Sequence, residues 1–163
     1  VLINNAGNDQ RHSIHQVTER YFKNRIDTNL KHYFFAVKAA KKGMIKNNGG
    51  SIINLSSICW IRGAPRFILY SSAKSAIFGL SRSLARELGK YNIRVNAISP
   101  GSVATERQLK LWLKPKLKKE IMSLQCLKRQ ILPEDIANMT LYLASDVSSG
   151  CTKQNFIVDA GIT

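Results

Sequence analysis

The stretch "GGSIINLSS", residues 49–57, decides the fold, because it packs a stop, a strand and a strand end into one short run. Gly49 and Gly50 end the element before them. "SIINLS" (51–56) then reads as a β-strand with adjacent rather than alternating apolar residues, as expected for a strand covered on both faces. Ser56 and Ser57 place hydroxyls at its carboxyl end.

Working outward, the pattern repeats. Upstream, apolar residues at Val17, Tyr21, Ile26, Leu30, Phe34, Val37 and Met44 keep a near-four spacing. This predicts one long helix from Thr18 to about Asn47. Before it, the apolar run Val1 to Ile3 stops in "NNAG" (4–7), a strand running into a turn. Downstream, residues 67–88 read as a helix that ends around Gly89, and "IRVNAIS" (93–99) as a strand running into Pro100-Gly101. Pro133 is placed to start a helix through about Ala144, with Glu134 and Asp135 favourable in its first turn. "NFIVD" (155–159) is the last strand.

Strands alternating with helices predict an α/β fold, a doubly wound parallel sheet of the Rossmann-like kind, built as a single domain over 1–163. In such folds ligands bind beyond the carboxyl ends of the strands. There stand "NNAG", Ser56-Ser57 and "PGSVAT" (100–105), turn formers and hydroxyls on one rim.

Composition narrows the function classes. The chain has 163 residues, 44% of them hydrophobic, enough for one core. No apolar run is long enough to span a membrane and no secretory leader pattern opens the chain, so the expectation is a cytoplasmic protein without a membrane partner. Three cysteines without a CxxC pair fit a reducing compartment. His12, His15 and His32 lack partners at metal-ligand spacing, so no metal is expected. The net charge of +15 raises the question of nucleic acid. The basic residues are scattered, however, and the densest run, "LKLWLKPKLKKE" (109–120), alternates with Leu and Trp as one amphipathic helix would. A solvated face accounts for it, and no nucleic acid is expected.

The chemistry lies in "LYSSAKSA" (69–76), which sets Tyr70 and Lys74 one helical turn apart with only small residues between. A free phenol titrates near pH ~10, too high for a base at neutral pH. A neighbouring ammonium favours the phenolate, so Lys74 is expected to bring Tyr70 toward the working range. Ser57, at a strand end, is placed to hydrogen-bond a reacting oxygen. Asn29 is a polar residue inside an apolar helix, unusual without a partner.

Four motifs stand in order: NNAG (4–7), Asn29 in "DTNL", Ser57 followed by Tyr70-x-x-x-Lys74, and PGxxxT (100–105). Together they resemble the short-chain dehydrogenase/reductase family over nearly the whole chain. The resemblance implies hydride transfer with NAD or NADP. Tyr70 would be the acid/base, Ser57 its partner on the substrate oxygen, Lys74 a ligand of the nicotinamide ribose, and Asn29 part of a proton relay. Asn4, Ala6, Gly7, Pro100, Gly101, Val103 and Thr105 would join Tyr70 and Lys74 on the cofactor side, with Val103 and Thr105 at the nicotinamide carboxamide. It also implies a homo-oligomer. The family's Gly-rich phosphate-binding turn has no match here, so the chain resembles the C-terminal two-thirds of the domain, entered at its fourth strand, with an unpaired apolar edge at Val1 to Asn5.

"NNAGNDQRH", "SSICW", "TERQLKLW", "QCLKR" and "FIVDAGIT" resemble bacterial aldose 1-dehydrogenases, those acting on D-xylose in particular. Asn8, Asp9, Arg11 and Gln108 would then supply polar groups to a sugar, and Trp60 a face for its ring. Two other functions stay open. One is a 3-oxoacyl-carrier-protein reductase, whose acidic carrier suits +15. The other is a non-catalytic fragment that acts as an interaction or basic nucleic-acid-binding module.

Overall fold

The structure is a computed structural model that describes residues 1–163. Four strands, β1 (Leu2–Asn4), β2 (Gly50–Leu55), β3 (Ile93–Pro100) and β4 (Asn155–Val158), form one parallel sheet in the order β1-β2-β3-β4. The seven helices are α1 (Glu19–Ile26), α2 (His32–Lys46), α3 (Cys59–Arg62), α4 (Ile68–Leu88), α5 (Glu106–Leu111), α6 (Pro115–Leu124) and α7 (Pro133–Ala144).

Both faces of the sheet are covered. Val37 and Met44 of α2 and Ala85 and Leu88 of α4 pack on Ile52, Ile93 and Val95. Leu143 of α7 packs from the other side on Ile53, Leu55 and Ile98. Adjacent residues Ile52 and Ile53 thus point to opposite cores, which is why this strand has no polar alternation. Each such fully buried side chain contributes about 1.5–3 kcal/mol. A polar thread crosses the first core: Asn4 Nδ2 donates to Asn54 Oδ1 at 2.8 Å, and Asn54 Nδ2 to Ser81 Oγ at 2.9 Å. It fixes the register in which Asn4 faces Asn54.

Two expectations need correcting. The helix expected over 18–47 is interrupted by a π-helical turn at Asp27–Lys31. From that turn onward the buried stripe is Asn29, Tyr33, Val37 and Met44, whereas Phe34 is 47% exposed. Tyr33 goes inward in preference to Phe34 because its hydroxyl meets polar partners there. The run 109–120 is two helices, since Pro115 cannot continue α5 and instead occupies the first turn of α6. At the other end of the sheet, β1 pairs only with β2, and Val1 and Ile3 are exposed. No helix is long and apolar enough to cross a membrane.

Candidate active site

The carboxyl ends of the strands open into a cavity of about 880 Å³. Ser57, Tyr70 and Lys74 all line it. Ser56 ties the two elements that carry them, because its Oγ donates to the Lys74 carbonyl at 2.7 Å. Ser57 is buried, and its Oγ accepts from the Cys59 backbone N–H at 3.2 Å.

The ammonium of Lys74 is buried and turned toward the strand end. Nζ donates to Leu55 O at 2.7 Å and to Tyr33 Oη at 3.0 Å. It stands 5.6 Å from the Tyr70 ring centroid and 5.2 Å from that of Tyr33. Burial lowers its pKa to about 8. Burial also raises the Tyr70 phenol above its ordinary value, with Cys59 and Asp9 adding to the effect and the Ser57 hydroxyl working against it. This corrects the expectation that Lys74 draws the phenol downward. In so dry a place both groups are driven toward their neutral forms.

Asn29 is fully buried and does not line the cavity. Its amide clamps the turn after NNAG: Oδ1 accepts from Asn8 N at 2.7 Å, and Nδ2 donates to Asn8 O at 3.1 Å and Arg25 O at 2.9 Å. The π turn brings it there, consistent with the habit of such turns to mark functional sites. A Cβ added at Gly7 would stand 3.4 Å from both Asn29 Oδ1 and Lys74 Nζ, so glycine leaves bare backbone beside the ammonium. Gly7, Pro100, Gly101, Val103 and Thr105 line the cavity with Tyr70 and Lys74, whereas Asn4 and Ala6 do not. Gly101 is required by close approach, since a Cβ there would lie 2.8 Å from Asp159 Cα. Thr105 also caps α5, its Oγ1 accepting from Gln108 N at 3.2 Å. A bare backbone at Gly7 beside the Lys74 donor suits a nicotinamide riboside.

Asp9, Arg11 and Gln108 also line the cavity. Gln108 Nε2 donates to Asp9 Oδ2 at 2.7 Å, and Arg107 pairs with the other carboxylate oxygen. Burial would raise the Asp9 carboxyl, but these two hydrogen bonds outweigh it and hold it below its ordinary value. The Arg11 guanidinium lies between the rings of Phe67, at 5.1 Å, and Trp112, at 4.2 Å, and its Nε is buried without a hydrogen-bond partner. Neither Asn8 nor Trp60 lines the cavity. Trp60 donates to Ser56 Oγ at 3.2 Å and stacks on Phe78, and the aromatic side chains that line the cavity are Phe67 and Tyr70. Sequence reasoning missed Tyr33, Phe67 and Arg107. Only Tyr33 left a trace, a phenol four residues beyond Asn29 on the same helical face.

A parallel sheet with a Ser, a Tyr and a Lys gathered at its strand ends defines a class, and the chain belongs to the short-chain dehydrogenase/reductase family. A family model described as Enoyl-(Acyl carrier protein) reductase matches residues 1–163. The chain is 47% identical over 161 residues to D-xylose 1-dehydrogenase of Caulobacter vibrioides, covering 99% of this chain and 64% of that protein. It is 44% identical over 162 residues to a probable galactose dehydrogenase of Rhizobium meliloti, covering 99% and 63%. Among solved structures it is similar to 4-hydroxyisoleucine dehydrogenase complexed with NADH, with a TM-score of 0.90, 35% identity, and coverage of 99% of this chain and 68% of that one. The chain thus spans about 64% of the length of the curated sugar dehydrogenase from Caulobacter.

Proposed function

We propose that this chain carries the reacting end of a dehydrogenase that oxidises an aldose at its anomeric carbon, giving a lactone and reduced nicotinamide. The observation that carries the reading is one cavity lined by Ser57, Tyr70 and Lys74 together with the polar side chains of Asp9, Arg11 and Gln108. The similarity to two sugar dehydrogenases supports it.

Bound NAD or NADP would supply the hydride acceptor. Lys74 and the bare backbone at Gly7 would hold the ribose, and Val103 and Thr105 the carboxamide. The chain's own residues do the rest. Tyr70 Oη receives the proton of the anomeric hydroxyl while Ser57 Oγ hydrogen-bonds the same oxygen, so the C–H pair leaves as hydride and the C=O bond forms. Burial keeps Tyr70 a phenol at neutral pH, the form that gives a proton in the reverse, reducing direction. Oxidation needs the phenolate and is therefore favoured by alkaline pH. Asp9 and Gln108 already pair with each other, but Arg11 Nε is buried without a partner; a sugar hydroxyl would satisfy it, whereas a simple alcohol would leave it unpaired. From the family resemblance, the reading includes a homo-oligomer in the cytoplasm.

The test uses the full-length protein that carries this chain, assayed for nicotinamide absorbance with a panel of aldoses and with a 3-oxoacyl thioester. Turnover of an aldose, with a lactone as product, is expected. Efficient turnover of the thioester with no aldose turned over would replace the sugar by an acyl carrier and leave hydride transfer standing.

A further inference from the structure

We infer that Tyr33, a second tyrosine buried behind the site, is a positioning residue whose phenol oxygen holds the Lys74 ammonium where the reaction uses it. The inference rests on the acid/base reading of Tyr70 and Lys74 given above.

Tyr33 is 0% exposed and does not line the cavity, so it touches neither substrate nor cofactor. Its hydroxyl donates to Leu55 O at 2.8 Å, with Ala6 O farther away at 3.4 Å. The proton is thereby committed to carbonyls, which can only accept, and this rules out Tyr33 as a proton carrier. Its lone pairs are left for Lys74 Nζ at 3.0 Å.

An ammonium has three donors. Two are fixed, one on Leu55 O and one on Tyr33 Oη, and the two acceptors are themselves joined by the Tyr33 hydroxyl. This three-membered clamp leaves one donor free, and a Cβ added at Gly7 would stand 3.4 Å from Nζ, so bare backbone lies beside it. Without the phenol oxygen the ammonium keeps a single acceptor on a long, flexible stem. The sequence places Tyr33 for this by setting it four residues after Asn29, just beyond the π turn, so that one helix face clamps both Asn8 and Lys74.

The clamp also favours the charged form of Lys74, because a phenol oxygen stabilises an ammonium more than an amine. The other titratable groups near Lys74 are Tyr70 on its own helix, Cys59 on α3 and His32 beside Tyr33 on α2. Burial keeps Tyr33 itself a phenol, its pKa raised above the ordinary value. It therefore stays a neutral acceptor throughout the range in which Lys74 titrates.

The test is Tyr33→Phe in the full-length protein, which keeps the ring and removes only the oxygen. In the reducing direction, the alkaline limb of kcat/KM, where Lys74 loses its proton, should move to lower pH by about one unit, the size expected for one hydrogen bond to a charged group. Turnover at neutral pH should fall by up to roughly tenfold. An alkaline limb unmoved by Tyr33→Phe overturns the inference. Should the variant fail to fold, NMR of wild-type protein labelled with [ε-13C]lysine replaces it. A Lys74 ε-carbon signal with proton contacts to the Tyr33 ring supports the clamp, and its absence overturns it. Near-normal turnover by Tyr70→Phe sinks the acid/base reading itself. An unmoved alkaline limb in Tyr33→Phe beside a dead Tyr70→Phe sinks only this inference.

Discussion

Replacing Lys74 by methionine should make the protein more stable at neutral pH and less stable relative to wild type as the pH rises. The reason lies in the cost of the buried charge. Lys74 is 2% exposed, and burial takes its pKa from 10.5 to about 8. At about 1.4 kcal/mol per pH unit, that drop amounts to roughly 3 kcal/mol against the folded state wherever the ammonium is charged in both states. Unfolded Lys74 titrates near 10.5 and folded Lys74 near 8, so between those values the unfolded chain binds more protons. Wild-type stability therefore rises across that window. Lys74→Met removes this titration and fills the same space with an unbranched chain. It orphans no donor, because the Tyr33 hydroxyl still donates to Leu55 O. Urea unfolding of the full-length protein and the variant, at pH steps from neutral to about 10, measures the difference directly. The variant should lead by roughly 3 kcal/mol at pH ~7, the lead closing as Lys74 neutralises. Titration of Tyr33 and Tyr70 cancels in the comparison, since both proteins contain them. A difference that stays constant with pH, or a variant that is less stable at neutrality, would refute the reasoning. The gain should come with loss of turnover, the usual exchange between stability and function.

Further outcomes are expected from the same geometry. Tyr70→Phe should lower turnover of the full-length protein by roughly 10²-fold or more with little loss of stability, measured by initial rates beside a melting curve. Phe67→Ala should raise the KM for sugar, whereas Trp60→Phe, which keeps the stack on Phe78 outside the cavity wall, should leave it nearly unchanged; equal effects would place both rings in the same role. Asn54→Ala breaks the thread from Asn4 to Ser81 in the middle of the sheet. It should cost about 2–3 kcal/mol in urea unfolding, because Asn4 Nδ2 loses its partner in a buried place.

The alternation of strands and helices was legible because it rests on local pattern. "SIINLS" had no polar face, the glycines at 49–50 and the proline at 133 punctuated the chain, and the observed strands and long helices lie within a residue or two of those marks. The motifs at Ser57, Tyr70 and Lys74 were legible for a similar reason, since their spacing follows from one strand end and one helical turn. What stayed hidden depended on partners far away in the chain. No pattern in residues 27–31 announces a π turn, because the turn exists to bring Asn29 against Asn8, 21 residues earlier.

Which aromatic side chain faces the cavity was decided in the same way. Trp60 follows Ser57 closely in sequence, yet its indole N–H finds Ser56 and its ring finds Phe78, so it turns away from the cavity. The pKa of Tyr70 was misjudged from sequence because spacing reports the neighbouring charge but not the dryness of the place. Spacing alone determined that an ammonium stands one turn from a phenol. Only the tertiary structure decided that Leu55 and Tyr33 hold that ammonium, and that burial is the largest influence on the phenol's proton. Desolvation is summed over every neighbour packed around a group, and that sum exists only once the chain has folded.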